Sequence, residues 1–155
     1  MNRIYCAIGK IVELTQTIEL ELGDILENSE IIKEFGRLQR MTKNDYDQVL
    51  DDAGYIKEKM RTMTFGSMIA VLRDSRSLSY DEITELKTLL EKRNYFAHEY
   101  FKYTNFENAT EDLIVDEFEA IKADLVKLKQ MLNRLNLIKE NQITRINYLL
   151  SKNGL

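Results

Sequence analysis

The stretch Ala120 to Leu135, Ala-Ile-Lys-Ala-Asp-Leu-Val-Lys-Leu-Lys-Gln-Met-Leu-Asn-Arg-Leu, decides the fold class. Its residues Ile121, Leu125, Leu128, Leu132 and Leu135 alternate at spacings of four and three, the signature of a helix packed along a supercoiled seam. Helix from Ala109 to Leu150 would extend about 60 Å at ~1.5 Å per residue, more than a compact bundle of this size covers. Either the helix breaks near Lys139 to Gln142 and Ile143, Ile146, Leu149 and Leu150 pack back, or these residues pack onto a second protomer. With no proline and only six glycines among 155 residues, the chain lacks the punctuation that many short strands need, so it reads as all-α.

Toward the N-terminus, Ile4, Ile8, Ile11, Ile18, Leu22 and Ile25 recur at helical spacing and predict a long first helix, Ile4 to Leu26. Polar Glu27 to Glu30 interrupts the pattern. Asn28 or Ser29 could cap a second, shorter helix through Ile31, Ile32, Phe35, Leu38 and Met41. Asp45 to Lys59 reads as a helix irregular in part, because Asp51, Asp52 and Gly54 dilute Tyr46, Val49, Leu50 and Tyr55. Thr64 to Leu72 is the most apolar patch, a short helix entering the core, where Gly66 suggests close backbone approach. Ser79 with Glu82 forms a capping-box pattern, from which a helix runs from about Tyr80 to Tyr100 with Ile83, Leu86, Leu90, Ala97 and Phe101 on one face. A loop, Lys102 to Asn108, follows, and Asn108 with Glu111 offers another capping box.

The 155 residues suit one domain. The 22 basic and 26 acidic residues leave a net charge of -4, so the overall field repels nucleic acid and anionic membrane, and contact with RNA needs a local basic patch. Cys6 is the only cysteine; a disulfide within the chain is impossible, a small buried hydrophobe is its expected role, and a reducing compartment follows. Lys10 and Glu13 break the first apolar stretch, which argues against a signal peptide, and no run approaches the ~20 apolar residues of a membrane span. The expectation is a cytoplasmic protein without membrane contact.

Chemistry concentrates in Arg93-Asn94-Tyr95-Phe96-Ala97-His98-Glu99-Tyr100, which holds the only histidine. One imidazole suffices for a proton transfer when a guanidinium meets the developing negative charge. On an α-helix Asn94 and His98 share a face, but Arg93 and His98 stand about 140° apart at ~100° per residue. Convergence on one phosphate would need the reach of arginine or a second protomer.

Arg-Asn, three residues and His, here Arg93-Asn94-Tyr95-Phe96-Ala97-His98, resembles the motif of the HEPN superfamily of helical-bundle proteins, many of them metal-independent endoribonucleases. Tyr100 matches the Arg-x4-His-x-Tyr form of HEPN toxins paired with a nucleotidyltransferase antitoxin, and the runs Met63 to Ile69 and Leu89 to Phe101 are similar to bacterial HEPN-like proteins. The resemblance covers about a quarter of the chain. It implies a four- or five-helix up-down bundle with a long C-terminal helix, paired about a two-fold axis so that the motif helices face each other across a cleft. It further implies that His98 helps activate the ribose 2′-hydroxyl, Arg93 stabilises the charged transition state and Asn94 orients the groups, giving a cyclic phosphate and a 5′-hydroxyl. Tyr100 becomes a candidate nucleotidylation site. The setting would be a toxin–antitoxin pair or phage defence.

Lys92 and Lys102 are candidate RNA contacts, with Lys87 nearby and Arg37, Arg40 and Lys43 as a second basic group. Tyr95, Phe96 and Phe101 are better explained as core or dimer contacts than as stacking platforms for bases. No cofactor or metal is expected: the chain has no Glu-x-x-His pair, and adjacent acids such as Asp51 with Asp52 or Glu111 with Asp112 point in different directions on a helix. The competing reading is a non-catalytic helical module that dimerises or binds a protein through the motif face and the final helix, at Leu128, Leu132 and Leu135.

Overall fold

The computed structural model of the chain describes residues 2–38, 40–103 and 110–155. These are all helical apart from short turns, with no strand among them: α1 (Asn2–Arg37), α2 (Lys43–Arg61), α3 (Phe65–Asp74), α4 (Tyr80–Asn94), a π-helical turn (Tyr95–Glu99), α5 (Tyr100–Tyr103) and α6 (Glu111–Asn153). The π turn joins α4 to α5 without a break, so the described residues form five rods in up-down order, closed by the long α6.

Contacts along the rods fix their directions. Lys57 of α2 pairs with Asp24 and Glu27 of α1, and Tyr46 meets Phe35, so α2 runs back along α1. Lys92 meets Asp124 and Tyr100 meets Glu117, so α4 and α5 run against α6. Lys139 reaches Glu21 and Asp24, and Gln142 reaches Ile25 and Ser29. The first and last helices therefore lie parallel, side by side over most of their length.

This pairing removes the break expected at Glu27–Glu30 and the one allowed near Lys139–Gln142. No interruption occurs at Glu27–Glu30, and residues 31–37 continue α1 instead of forming a second helix. Nor does α6 break near Lys139 to Gln142. Four of the polar residues that looked like punctuation, Glu27, Ser29, Lys139 and Gln142, bond to a neighbouring helix instead, although Gln142 Oε1 stays buried without a hydrogen-bond partner among the described residues. Gln142 Nε2 donates to the Ile25 carbonyl at 3.1 Å and to Ser29 Oγ at 2.8 Å, and Lys57 Nζ donates to Glu27 at 2.8 Å. A 43-residue α6 is accommodated because a 36-residue α1 runs beside it. Ile146, Leu149 and Leu150 pack with Ile31, Phe35, Met41, Val49 and Ala53 of the same chain, and Asn153 Oδ1 accepts from the Met41 amide at 3.1 Å.

The main core gathers Ile4, Ile8, Ile11, Ile18, Leu22 and Ile25 from α1 with Ile121, Leu128, Met131 and Leu135 from α6, together with α3 and α4. The α6 seam differs in one respect from the expected Leu125 and Leu132: Asp124 and Met131 take the buried register, while those two leucines flank it, partly exposed. Leu128 and Leu135 are fully buried within the chain, while Leu132, also expected at a partner surface, keeps partial exposure.

Local chemistry sets the rod ends. The Ser79–Glu82 capping box is present, and a further one, Thr42 with Asp45, starts a regular α2 that tolerates Gly54. Thr64 caps α3, whose Phe65, Met68, Ile69 and Leu72 enter the core, and a Cβ placed on Gly66 would meet Leu90 Cδ2 of α4 at 3.4 Å. Thr110 caps α6; Asn108, expected to pair with Glu111, lies outside the described residues, as do residues 104–107 of the expected loop. Gly154, in the left-handed region at φ 72°, ends the last helix. Cys6 is exposed, contrary to expectation, because Ile4, Ala7, Ile8 and Ile11 define the inward face of that turn and leave position 6 outside it. No described helix is long and apolar enough to cross a membrane.

Candidate active site at a pi turn

The helix begun by the Ser79 cap sends Ile83, Leu86 and Leu89 inward, and its regular course ends at Asn94. The turn Tyr95–Glu99 then closes over five residues, the Tyr100 amide donating to the Tyr95 carbonyl. An inserted residue of this kind resets the phase of a helix, and an extrapolation at ~100° per residue fails beyond it. Phe96 and Tyr100 are the buried residues, whereas Ala97 and Phe101, expected on the core face, are exposed. Two large rings also bury more apolar surface than one methyl group.

The rings pack closely around the turn. Tyr95 and Tyr100, five residues apart, meet edge to face with centroids 5.9 Å apart, and Phe96 lies 5.5 Å from Tyr100. Phe101 stacks on Tyr5 of α1 at 5.0 Å. Tyr5, Tyr95 and Phe101 each remain more than two-fifths exposed. Phe96 is thus a core contact like Tyr100, whereas Tyr95 and Phe101 lie at the surface.

Arg93 and Asn94 close α4 and His98 lies within the π turn that follows, so the ~140° separation of an unbroken α-helix does not carry over to Arg93 and His98. Arg93 is half-buried, while Asn94 and His98 are exposed. Arg93 Nη1 donates to Asn94 Oδ1 at 3.1 Å. Among the described residues no carboxylate lies within ion-pair distance of Arg93, and His98 makes no hydrogen bond.

Arg93 and Asn94 open on a cavity of about 480 Å³ between α1, α3 and α4, lined also by Glu19, Thr64, Phe65 and Leu90. Glu19 lies opposite the guanidinium. Burial pushes its carboxyl above the usual range, partly countered by the charge of Arg93. His98 is not part of this wall.

Tyr100 is almost wholly buried, and its hydroxyl donates to Glu117 of α6 at 3.3 Å. Burial, then the charge of Glu117 and its hydrogen bond, push the phenol up to about 12. Nucleotidylation at this oxygen would require the ring to leave that seat. Lys92 is engaged with Asp124 at 2.9 Å, an acid that sits in the buried register of α6. Lys102 is exposed on α5. Arg37, at the far end of α1, stands 18 residues beyond Glu19, roughly 27 Å along the helix at ~1.5 Å per residue, so the two basic groups do not share one cleft.

Three acids escaped the sequence reading: Glu19, Glu117 and Asp124. Each is an ordinary helix acid until tertiary packing sets it opposite a motif residue. Only Asp124 carried a signal, as a polar residue inside an apolar seam. Among the described residues no group of three His, Cys, Asp or Glu is placed to hold a metal ion. Compared with protein-family models, curated proteins and solved structures, the chain gives no match.

Proposed function

We propose that the protein is a metal-independent RNA endonuclease of the HEPN type, acting as a pair of identical chains in a toxin or phage-defence system. The observation that carries the reading is that Arg93 and Asn94, at the end of α4, and His98, in the π turn that follows, make no hydrogen bond or ion pair to another helix among the described residues. They are half-buried or exposed, and among the described residues neither Arg93 nor His98 is tied to a carboxylate. Such turns occur disproportionately at functional sites.

In this reading the neutral imidazole of His98 takes the proton of a ribose 2′-hydroxyl as its oxygen attacks the adjacent phosphorus. The guanidinium of Arg93 donates to the phosphoryl oxygens as negative charge grows on them. The bond from phosphorus to the 5′-oxygen breaks and that oxygen receives the proton His98 had taken, directly or through water, giving a 2′,3′-cyclic phosphate and a 5′-hydroxyl end. Asn94 holds the guanidinium through the 3.1 Å hydrogen bond. A second copy would bring another Arg93 and His98 to the cleft, and Lys102 would contact the strand. Lys92 would do so only by giving up Asp124.

The test is cleavage of mixed cellular RNA in EDTA by the wild type, His98→Ala and Arg93→Ala, with circular dichroism to confirm folding. Either substitution should lower cleavage by at least about a hundredfold; variants as active as the wild type would overturn the reading.

The exposed rings Tyr5, Tyr95 and Phe101 favour a second reading, a non-catalytic module that dimerises or binds a protein partner through this face. Under it, Tyr95→Ala with Phe101→Ala should abolish association in analytical ultracentrifugation while His98→Ala has no effect. Unchanged association in the double variant would count against it.

A further inference from the structure

The cavity beside Arg93 contains a carboxylate that the fold does not use. Glu19 lines that space from α1, half-buried, and among the described residues it makes no hydrogen bond or ion pair. Its neighbours along α1 are engaged: Asp24 and Glu27 are held by Lys57, and Glu21 by Lys139.

A carboxylate without an ion-pair partner, set across from a guanidinium, presents two adjacent acceptors next to a donor. The lining around them is mixed, polar from Thr64 and Asn94 and apolar from Leu90, and the volume of about 480 Å³ falls in the ~300–1,000 Å³ range of small-molecule sites. A phosphate would be repelled by Glu19. A neutral, flat ring with two adjacent donors and an acceptor would not, and among the RNA bases only guanine has that edge: N1–H and N2–H₂ beside O6. We propose that this cavity takes an unstacked guanine base, Glu19 accepting from N1–H and N2–H₂ and Arg93 donating to O6, with Leu90 against the ring. The five donors of a guanidinium allow Arg93 to give one to the base and turn others to the adjoining phosphate. The occupant rests on the ribonuclease reading; the site itself does not.

The test is titration of the wild type and Glu19→Gln with GMP, AMP, CMP and UMP by calorimetry, followed by mapping of RNA cut sites. GMP should bind at least about tenfold tighter than the other three, and Glu19→Gln should erase that preference. Equal binding of the four nucleotides, no binding of any, or a preference that survives Glu19→Gln would overturn the proposal. Should Glu19→Gln fail to fold, the selectivity of the wild type decides alone. RNA cleavage without guanine beside the cut would end this proposal and leave the ribonuclease reading standing; selective GMP binding without RNA cleavage would do the reverse.

Discussion

Polar residues are treated in opposite ways by the paired helices α1 and α6 and by the turn that follows α4. Between α1 and α6, Ser29, Gln142, Lys139, Asp24 and Glu27 interrupt apolar patterns, and each is matched by a partner on a neighbouring helix. At the end of α4, Arg93, Asn94 and His98 interrupt the pattern, and among the described residues none of them is hydrogen-bonded or ion-paired to another helix, while the helix itself changes its turn. Satisfied polar groups inside a bundle are structure, because leaving them unpaired would cost folding energy. Polar groups that a fold leaves unmatched are available for a ligand.

The largest effect expected on the structural side is in the seam. Leu135→Ala, at a position with no exposure, should cost about 2–5 kcal/mol in urea denaturation, and a loss below about 1 kcal/mol would mean that α6 does not pair with α1 as described. Next comes the ionic cluster. Lys139→Ala leaves Glu21 and Asp24 without their α6 partner, and with these groups partly exposed the loss should be about 1–2 kcal/mol.

The same cluster sets a pH window. Burial raises the Asp24 carboxyl, but the hydrogen bonds and charges of Lys57 and Lys139 outweigh it and hold it below its ordinary 3.8. A depressed carboxylate contributes stability above its unfolded value and loses it as pH falls through the folded one. For Lys57 the bonds to Asp24 and Glu27 raise the ammonium above 10.5; for Lys139 burial opposes, and the bonds to Glu21 and Asp24 outweigh it in the same direction. That contribution is complete below 10.5 and disappears as pH rises through the folded values. Tyr100, raised from 10.0 to about 12, adds to the alkaline loss over that interval. Thermal melts should therefore be flat between about pH 5 and about 9 and fall at both ends, with a smaller alkaline fall in Tyr100→Phe. An identical alkaline limb in that variant would contradict the assignment to Tyr100. The smallest effect belongs to the turn: His98→Ala should change stability by no more than about 0.5 kcal/mol, and a loss above about 2 kcal/mol would make it a structural residue.

Local signals carried much of the fold. The Ser79–Glu82 box, the apolar run at Thr64 to Leu72 and the seam around Leu128 and Leu135 were all legible, because each depends on residues close in sequence. Glu27 to Glu30 and Lys139 to Gln142 misled, since Ser29 and Gln142 find each other across more than a hundred residues of chain. The site was legible as a motif but not as a geometry. Nothing in the local pattern announces the inserted residue at Tyr95–Glu99, and Glu19 reaches the cavity only because α1 packs beside α4.

Whether the unmatched residues at the turn perform catalysis is tested most directly by cleavage of cellular RNA in EDTA, comparing the wild type with folded His98→Ala. Cleavage that leaves cyclic phosphate ends and disappears in the variant is the predicted result; cleavage that persists in His98→Ala, or a wild type that leaves RNA intact, would contradict it.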